Sequence, residues 1–325
     1  MPEKSERILV AVITGGRPRL EDRTTSRYLP ALKAAGYDTI WVTREDQAGP
    51  YEPDGNPIET FTLDWANKYA KTHWRHPVEE FIPGGFHGAF TGREWAMRLG
   101  QSRGYDAVIQ LDDNIKDIGP VEASRTTFNK HVTHVEMFQL LAELAFSTNV
   151  SLLGMQLNSI PTPPNPKLIR VGYPYSAFIE KTGPLRLPYY GPFEDDIMHA
   201  LDYGLGKAPT TAALIEVFKY VKHSGGNNGM RSRYNNTRGL GLLRQYPNNV
   251  TLRPGRRTSS TAETERGFRH YLNTKNFTPI HITNPTRYTQ ASNQITTITN
   301  NCITTFHQDT RNKMTTRSKP KDRQS

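Results

Sequence analysis

The run ILVAVIT at residues 8–14 decides the expected fold, because it is apolar and rich in β-branched residues without a polar alternation. Such a run is typical of a strand buried on both faces of a parallel sheet. The loop GGRPR (15–19) follows, and then TSRYLPALKAAG (25–36), a helical pattern that Gly36 closes. A second strand pattern, YDTIWVTRED (37–46), completes a βαβ unit. We therefore predict an α/β fold with a mostly parallel central sheet flanked by helices, and ligands at the carboxyl ends of the strands.

The same alternation continues to about residue 225. Residues 47–90 are irregular, with one short helix near LDWANKYAK (63–71). Thr91 and Glu94 have the spacing of a capping box at the start of a helix. We predict helices at 91–104, 132–146 and 194–204, and strands at 105–111, 149–159, 170–180 and within 211–223.

The composition changes after about residue 275, where Thr, Asn and Gln dominate and the last fifteen residues are basic and polar. Segments of this kind seldom bury enough apolar surface to fold. We therefore predict one folded domain over residues 1–275 and a disordered or loosely attached tail over 276–325.

Composition limits the class of protein. The chain has 325 residues, a net charge of +10 and one cysteine, Cys302, which excludes an intramolecular disulfide framework and a Cys-rich zinc site. No apolar run approaches the ~20 residues of a membrane span, and the N-terminus lacks a signal-peptide layout. A cytoplasmic protein is expected.

The positive charge is concentrated between Glu216 and Glu263, where no acidic residue occurs. The basic residues there are Lys219, Lys222, Arg231, Arg233, Arg238, Arg244, Arg253, Arg256 and Arg257. An uncompensated basic segment of this length is typical of a phosphate-facing surface, and the alternative is a solvated basic loop. We predict that Arg231, Arg233, Arg238 and Arg244 contact nucleic acid.

Three polar residues, Asp112, Asp113 and Asn114, end the strand pattern at VIQLDDN (108–114). Carboxylates at the carboxyl end of a parallel strand lie where ligands bind, and one or two of them can hold a hard divalent cation together with substrate phosphates. A metal ion would also offset their mutual repulsion. The alternative is a turn, which Asp and Asn favour.

Three further features accompany this triplet. Arg93 lies in the first turn of a predicted helix, where it could bind a diphosphate, although it could equally be a surface residue. Glu194, Asp195 and Asp196 begin a helix, where acids either stabilise the helix dipole or supply a general base. His223 follows the last strand and could ligate Mn²⁺, although a lone histidine is more often an ordinary hydrogen-bonded residue.

In this order, the four features resemble the GT-A class of nucleotide-sugar glycosyltransferases. The resemblance covers residues 8–225 and implies a UDP-sugar donor such as UDP-glucose and a bound Mn²⁺ or Mg²⁺. It implies the following roles: metal ligation by Asp112 with Asn114 or Asp113 and by His223, catalysis by Asp195 as base with Glu194 beside it, and donor binding by Arg93, Asp112, Thr14, Arg17 and Glu45 or Asp46. The usual second acid of the metal motif is replaced by Asn114, so Asp113 could be the ligand instead.

Within this class, the blocks GREWAMRLG…DDNI, FEDD and KHSGG…MRSRY are most similar to the phage glycosyltransferases associated with TET/JBP-type dioxygenases. That resemblance implies transfer of a hexose onto hydroxymethylated pyrimidines in DNA, and a location in the host cytoplasm if a phage encodes the protein. Two alternatives stay open: the same enzyme class acting on a polysaccharide, glycan or protein, and a nucleic-acid-binding protein without catalysis. Retention or inversion is undecided, with a base at Asp195 favouring inversion, and the oligomeric state is unknown.

Overall fold

The computed structural model of the chain describes residues 6–75, 88–120, 131–160, 166–206, 209–222, 228–254 and 268–317, together with residues 81, 83 and 163. Its strands are β1 (Ile8–Ile13), β2 (Asp38–Arg44), β3 (Ile58–Phe61), β4 (Ala107–Asp112), β5 (Ile115–Pro120), β6 (Val150–Leu157), β7 (Arg170–Val171), β8 (Ala177–Lys181), β9 (Thr211–Lys222), β10 (Val250–Pro254) and β11 (Phe268–Leu272). Its α-helices are α1 (Leu29–Ala34), α2 (Glu45–Ala48), α3 (Leu63–His73), α4 (Phe90–Ser102), α5 (His134–Phe146), α6 (Asp195–Gly204), α7 (Asn228–Gln245) and α8 (Pro285–Arg317).

Within these described residues, one sheet carries the fold, with the strand order β3-β2-β1-β4-β8-β6-β9-β5 and β7 paired to β9. Strands β1 to β4 pair in parallel, as do β6 and β9. Strand β8 is antiparallel to both β4 and β6, so β6 and β9 run in the same direction as β1. Six of the nine strands therefore share one direction, and the prediction of an α/β fold with a mostly parallel sheet is confirmed.

Both faces of the sheet are covered, as the apolar run of β1 predicts. Val10 and Val12 pack in one core with α1, α5 and α8, while Leu9, Ala11 and Ile13 pack in the other with α3, α4 and α6. Alternate residues of a strand point to opposite faces, so a strand between two helical layers is apolar at every position. Because β1, β4 and β9 run in the same direction, their carboxyl ends lie at one edge of the sheet.

The predicted capping box of α4 is wrong. The helix begins at Phe90 after Ala89, whose side chain provides no capping hydrogen bond. Glu94 is instead fully buried and accepts hydrogen bonds from Arg186 at 2.7 and 2.8 Å and from Arg98 at 2.8 Å. A capping box does occur at α5, where Thr133 and Glu136 hydrogen-bond each other's backbone N–H groups.

A smaller unit beyond the central sheet was not predicted. Strands β10 and β11 form an antiparallel hairpin, and α7 packs beside it. Leu242 and Tyr246 of this unit form a third apolar cluster with Ile197, Met198 and Leu201 of α6. This cluster joins the basic segment of the sequence to the helix that carries the predicted catalytic acids.

The chain after residue 275 differs from the expected disordered tail, because α8 occupies residues 285–317. Its buried residues Ala291, Ile295, Ile298 and Cys302 recur at helical spacing and pack in the same core as α5. The Thr- and Asn-rich composition hid this apolar stripe. Residues 318–325 lie outside the described residues. None of the described helices is long and apolar enough to cross a membrane.

We expect Ile295→Val to lower the free energy of unfolding by about 0.5–1.5 kcal/mol, because Ile295 is 1% exposed and its lost methylene leaves a cavity in the core that α8 shares with α5. The matched control is Ile282→Val, since Ile282 is 49% exposed, and it should change stability by less than about 0.5 kcal/mol. Urea denaturation of both variants makes the comparison. Equal, negligible effects would show that α8 does not pack on the domain in solution.

Candidate active site

The carboxyl end of β4 holds Asp112 between two cationic side chains. Its Oδ1 accepts a hydrogen bond from Arg93 at 2.8 Å, and its Oδ2 accepts one from the Lys222 ammonium at 2.6 Å. The Asp112 backbone N–H donates to the carbonyl oxygen of Ser176 at 2.8 Å. Burial alone would raise the pKa of Asp112, but Lys222 and Arg93 bring it well below its usual range. Asp112 is therefore an ionised carboxylate at the edge of the sheet.

Asp113 faces the end of β1, because β1 and β4 are neighbours with Ile13 opposite Asp112. Its Oδ2 accepts a hydrogen bond from the Thr14 hydroxyl at 2.7 Å, and its Oδ1 is paired with Arg17. Tyr51 lies 3.2 Å from the same hydroxyl. Burial raises the pKa of Asp113 to about 6, although Arg17 and Thr14 favour the ionised form. The two adjacent acids thus have separate sets of partners.

Arg93 connects the end of β4 to the start of α6. Besides Asp112, its Nε donates to Asp195 at 3.0 Å, and its guanidinium lies 3.8 Å from Asp196. The guanidinium sits 5.3 Å above the Phe178 ring and is only 3% exposed. Burial opposes its charge, but the three acids raise the pKa of Arg93 above its ordinary value. Its Nη1 is buried and has no hydrogen-bond partner among the described residues, so this cation retains one donor for an anion.

The three acids of the FEDD sequence, Glu194, Asp195 and Asp196, have different environments. Glu194 has a left-handed backbone conformation, with φ of 55°, and its Oε1 accepts from Arg238 Nε of α7 at 2.8 Å. Burial raises the pKa of Asp195, and burial together with the charge of Asp195 raises that of Asp196 to about 7. Non-glycine residues with a left-handed backbone conformation, such as Glu194, cluster at functional sites. Ser176 is the other non-glycine residue with a positive φ among the described residues; its φ is 67°, and it adjoins Asp112.

A buried polar network centred on Glu180 packs next to this edge of the sheet. The sequence patterns did not predict it. Glu180 of β8 is fully buried and accepts hydrogen bonds from Tyr189 at 2.7 Å and Tyr203 at 3.1 Å, while His199 of α6 lies 2.8 Å away. Gln110 of β4 donates to the same carboxylate at 3.3 Å. These contacts fix α6 against β4 and β8, and therefore fix Asp195 relative to Asp112.

The structure brings several of the predicted residues together at the carboxyl ends of β1 and β4. Arg93 is in direct contact with both Asp112 and Asp195. Thr14 and Arg17 contact Asp113, and the largely buried Asn114 is the next residue in the chain. Asp46 instead pairs with Arg44 of β2 at 2.6 Å. His223 lies outside the described residues.

The basic residues predicted to contact nucleic acid lie on α7. Arg244 is exposed and Arg238 is paired with Glu194, while the side chains of Arg231 and Arg233 lie outside the described residues. Lys219 of the same basic segment is largely buried and donates to the Ile160 carbonyl at 2.7 Å. The segment is thus only partly a solvent-facing basic surface.

Lys222 and Ser176 were missed as site residues. Lys222 directly precedes His223 at the end of β9, so the rule that placed Asp112 at the edge of the sheet could have selected it. Ser176 precedes β8 in an irregular segment, and its Oγ accepts from Lys222 at 2.9 Å. No local pattern in the sequence distinguishes it.

The side chains at this edge carry oxygen donors, the ligand type that a hard divalent cation prefers. Asp112 offers carboxylate oxygens on a side chain that is 20% exposed, and Asp113 and Asn114 follow it directly. Among the described residues, no group of three or more His, Cys, Asp and Glu is arranged to hold a metal ion. A cation would therefore rely on Asp112, on amide or phosphate oxygens, and on the displacement of Lys222.

Comparison with known proteins gives distant structural likenesses. No protein-family model matches the chain, and no curated protein sequence matches it. A solved mycobacterial protein is 9% identical over 82% of this chain and 84% of that one, with a TM-score of 0.45. Glucosyl-3-phosphoglycerate synthase from Mycobacterium tuberculosis, in complex with Mn²⁺, UDP-glucose and phosphoglyceric acid, is 11% identical over 77% and 84%, with a TM-score of 0.43. S. aureus TarS 1-349, in complex with UDP-GlcNAc, is 10% identical over 73% and 66%, with a TM-score of 0.37. These TM-scores are all below 0.5, so the likenesses do not tell what this chain binds.

Proposed function

We propose that this protein is a GT-A-type glycosyltransferase that takes a hexose from a nucleotide sugar, a UDP-sugar such as UDP-glucose, and transfers it to a hydroxyl group. One observation carries the proposal: Arg93 bridges Asp112 at the end of β4 and Asp195 at the start of α6. The resemblance to the GT-A class assigns Arg93 to the diphosphate, Asp112 to the metal and Asp195 to the acceptor base. Because the buried Arg93 guanidinium contacts both acids, we place diphosphate binding, metal binding and the acceptor base in one site.

The donor would lie along the carboxyl ends of β1 and β4. Thr14 and Arg17 would line the nucleotide side, and the remaining Nη1 donor of Arg93 would bind a diphosphate oxygen. Asp112, with Asp113 or Asn114 and with His223, would hold Mn²⁺ or Mg²⁺. Such a cation, when bound, offsets the negative charge that develops on the leaving diphosphate. Arg93 assists from a fixed and desolvated position, where electrostatic stabilisation is strongest.

The acceptor would enter from the side of α6. Asp195 is the proposed base that takes the proton from the acceptor hydroxyl, and Glu194 lies beside it. The Asp196 carboxylate is a second candidate for the same role, because it lies 3.8 Å from Arg93, beyond hydrogen-bond distance, and its pKa is about 7. A base on the face opposite the leaving diphosphate suits inversion of the sugar carbon.

The proposed acceptor is a hydroxymethylated pyrimidine in DNA. Helix α7 supports this proposal, because it carries Arg231, Arg233, Arg238 and Arg244 without any acid and contacts the catalytic helix through the Arg238–Glu194 pair. A phosphate backbone could follow this helix past the acceptor side of the site. A glycan, polysaccharide or protein acceptor is the alternative within the same chemistry.

The test incubates the protein and Mn²⁺ with a panel of nucleotide sugars and with hydroxymethylated DNA, unmodified DNA or a glycan mixture, and records mass increases. We expect a hexose increment on hydroxymethylated DNA only, and we expect its rate to fall as salt rises, because phosphate contacts are screened. Transfer to the glycans alone would contradict the DNA acceptor and keep the glycosyltransferase. No transfer and no loss of any nucleotide sugar would contradict both, and salt-sensitive DNA binding would then favour a non-catalytic binding protein.

A further inference from the structure

Lys222 occupies the side of Asp112 that a metal ion would need. Its ammonium lies 2.6 Å from Asp112 Oδ2 and 2.9 Å from Ser176 Oγ, while Arg93 holds Oδ1. A divalent cation bound to Oδ2 and this ammonium group cannot share one oxygen at such a distance without strong repulsion. Lys222 and a metal ion are therefore competitors for Asp112.

Among the described cations of this edge, Lys222 is the one best able to move. Its side chain is 30% exposed, whereas that of Arg93 is 3% and that of Arg17 is 17% exposed. Lysine also has a flexible four-carbon stem and a compact charge, while Arg93 is fixed by several acids. Two of the three Lys222 N–H donors are used by Asp112 and Ser176, and a diphosphate could engage the ammonium in their place.

Resting on the function proposed above, we propose that Lys222 takes the place of the metal ion at Asp112 in the ligand-free protein and moves onto the diphosphate when the nucleotide sugar binds. Lys222 is then a donor-binding residue as well as the counter-charge of the empty site. The diphosphate gives the displaced ammonium a new anionic partner, and the released Oδ2 becomes available to the metal ion. Metal and nucleotide consequently strengthen each other's binding, and the coupling is reciprocal.

The experiment measures Mn²⁺ and UDP affinities by isothermal titration calorimetry, each alone and with the other saturating, for the wild type, Lys222→Met and Lys222→Arg. Methionine keeps the length of the side chain and removes the charge, whereas arginine keeps the charge. Lys33→Met is the matched control, because Lys33 is exposed on α1 and donates to Gly55. Thermal unfolding of each variant shows whether it is folded before it is titrated.

For the wild type we expect UDP to tighten Mn²⁺ binding at least tenfold. Lys222→Met should bind Mn²⁺ alone at least tenfold more tightly than the wild type, gain less from UDP, and bind UDP several-fold more weakly in saturating Mn²⁺. Lys222→Arg should keep the weak binding of Mn²⁺ alone, and Lys33→Met should match the wild type in every titration.

Two results would overturn the inference, and they are distinguishable. UDP binding by the wild type, with Mn²⁺ affinity unchanged in Lys222→Met, would contradict the role of Lys222 and leave the proposed function standing. No binding of UDP or of any other nucleoside diphosphate by the wild type, with or without Mn²⁺, would remove the proposed function and this inference with it.

Discussion

Replacing Arg93 with methionine is expected to lower the free energy of unfolding by about 3–5 kcal/mol at pH 8, the largest stability effect we predict for the site. Arg93 is 3% exposed and is the shared partner of Asp112, Asp195 and Asp196. Without the guanidinium these carboxylates stay buried and repel one another. Lys222 would remain the only described cation paired with Asp112.

The defect should depend on pH in a defined direction. Burial and neighbouring carboxylates raise the pKa of Asp196 to about 7, above that of an unfolded chain, so its ionisation between pH 5 and pH 8 destabilises the folded protein. The pKa of Asp195 is raised in the same direction. Without Arg93 these pKa values rise further, and protonation at pH 5 removes part of the repulsion. The loss of stability in Arg93→Met should therefore be smaller at pH 5 than at pH 8.

Urea denaturation at the two pH values checks this expectation. The control is Arg103→Met, because Arg103 pairs with Glu59 at 2.8 Å on side chains that are 41% and 28% exposed. An exposed pair of this kind contributes at most about 1 kcal/mol. An Arg93 variant as stable as this control at pH 8 would show that the guanidinium does not hold the three acids together.

Asp195→Asn is expected to lower kcat by roughly 10²–10⁴-fold, the range typical of losing a general base. The amide oxygen of the introduced side chain can still accept the hydrogen bond from Arg93, so the arrangement of the site should persist. The dissociation constant of the donor should change by less than about threefold, since the proposed role places Asp195 on the acceptor side of the site. Discontinuous assays with a saturating donor measure kcat, and titration of the protein with the nucleotide measures the dissociation constant of the donor.

The neighbouring variant Asp196→Asn tests which carboxylate acts. If Asp195 is the base, Asp196→Asn should retain more than about a tenth of the wild-type kcat. The reverse order of effects would transfer the role to Asp196, whose pKa of about 7 would then set the acid limb of the pH profile. Full activity in both variants would exclude the start of α6 as the source of the base.

The central sheet was predictable from sequence because its determinants are local. The uninterrupted apolar run of β1 is typical of a strand covered on both faces, and the structure places a core on each. The antiparallel direction of β8 was not predictable, because it depends on which strands are neighbours and not on the residues of β8 itself. Helix α8 was missed because Thr and Asn around Ile295 and Ile298 dominate the composition, while few apolar positions decide the packing.

The candidate site was predictable in its residue types but not in its contacts. Asp112, Arg93 and Asp195 were each selected from local position, at the end of a strand or the start of a helix. Their mutual contact depends on the packing of α4 and α6 on one face of the sheet, across 102 residues of sequence. The end of β9 could have marked Lys222 as a residue of this edge, but its contact with Asp112, across 110 residues, depends on the order of the strands.

The most direct test of the central claim, that the Arg93–Asp112 edge acts on a nucleotide sugar, needs no knowledge of the acceptor. It measures the release of nucleoside diphosphate from a panel of nucleotide sugars, with Mn²⁺ and without acceptor, for the wild type and Asp112→Asn. The account predicts slow release from at least one nucleotide sugar by the wild type and a loss of at least about 100-fold in Asp112→Asn. Release from none of them, or equal release by both proteins, would contradict it.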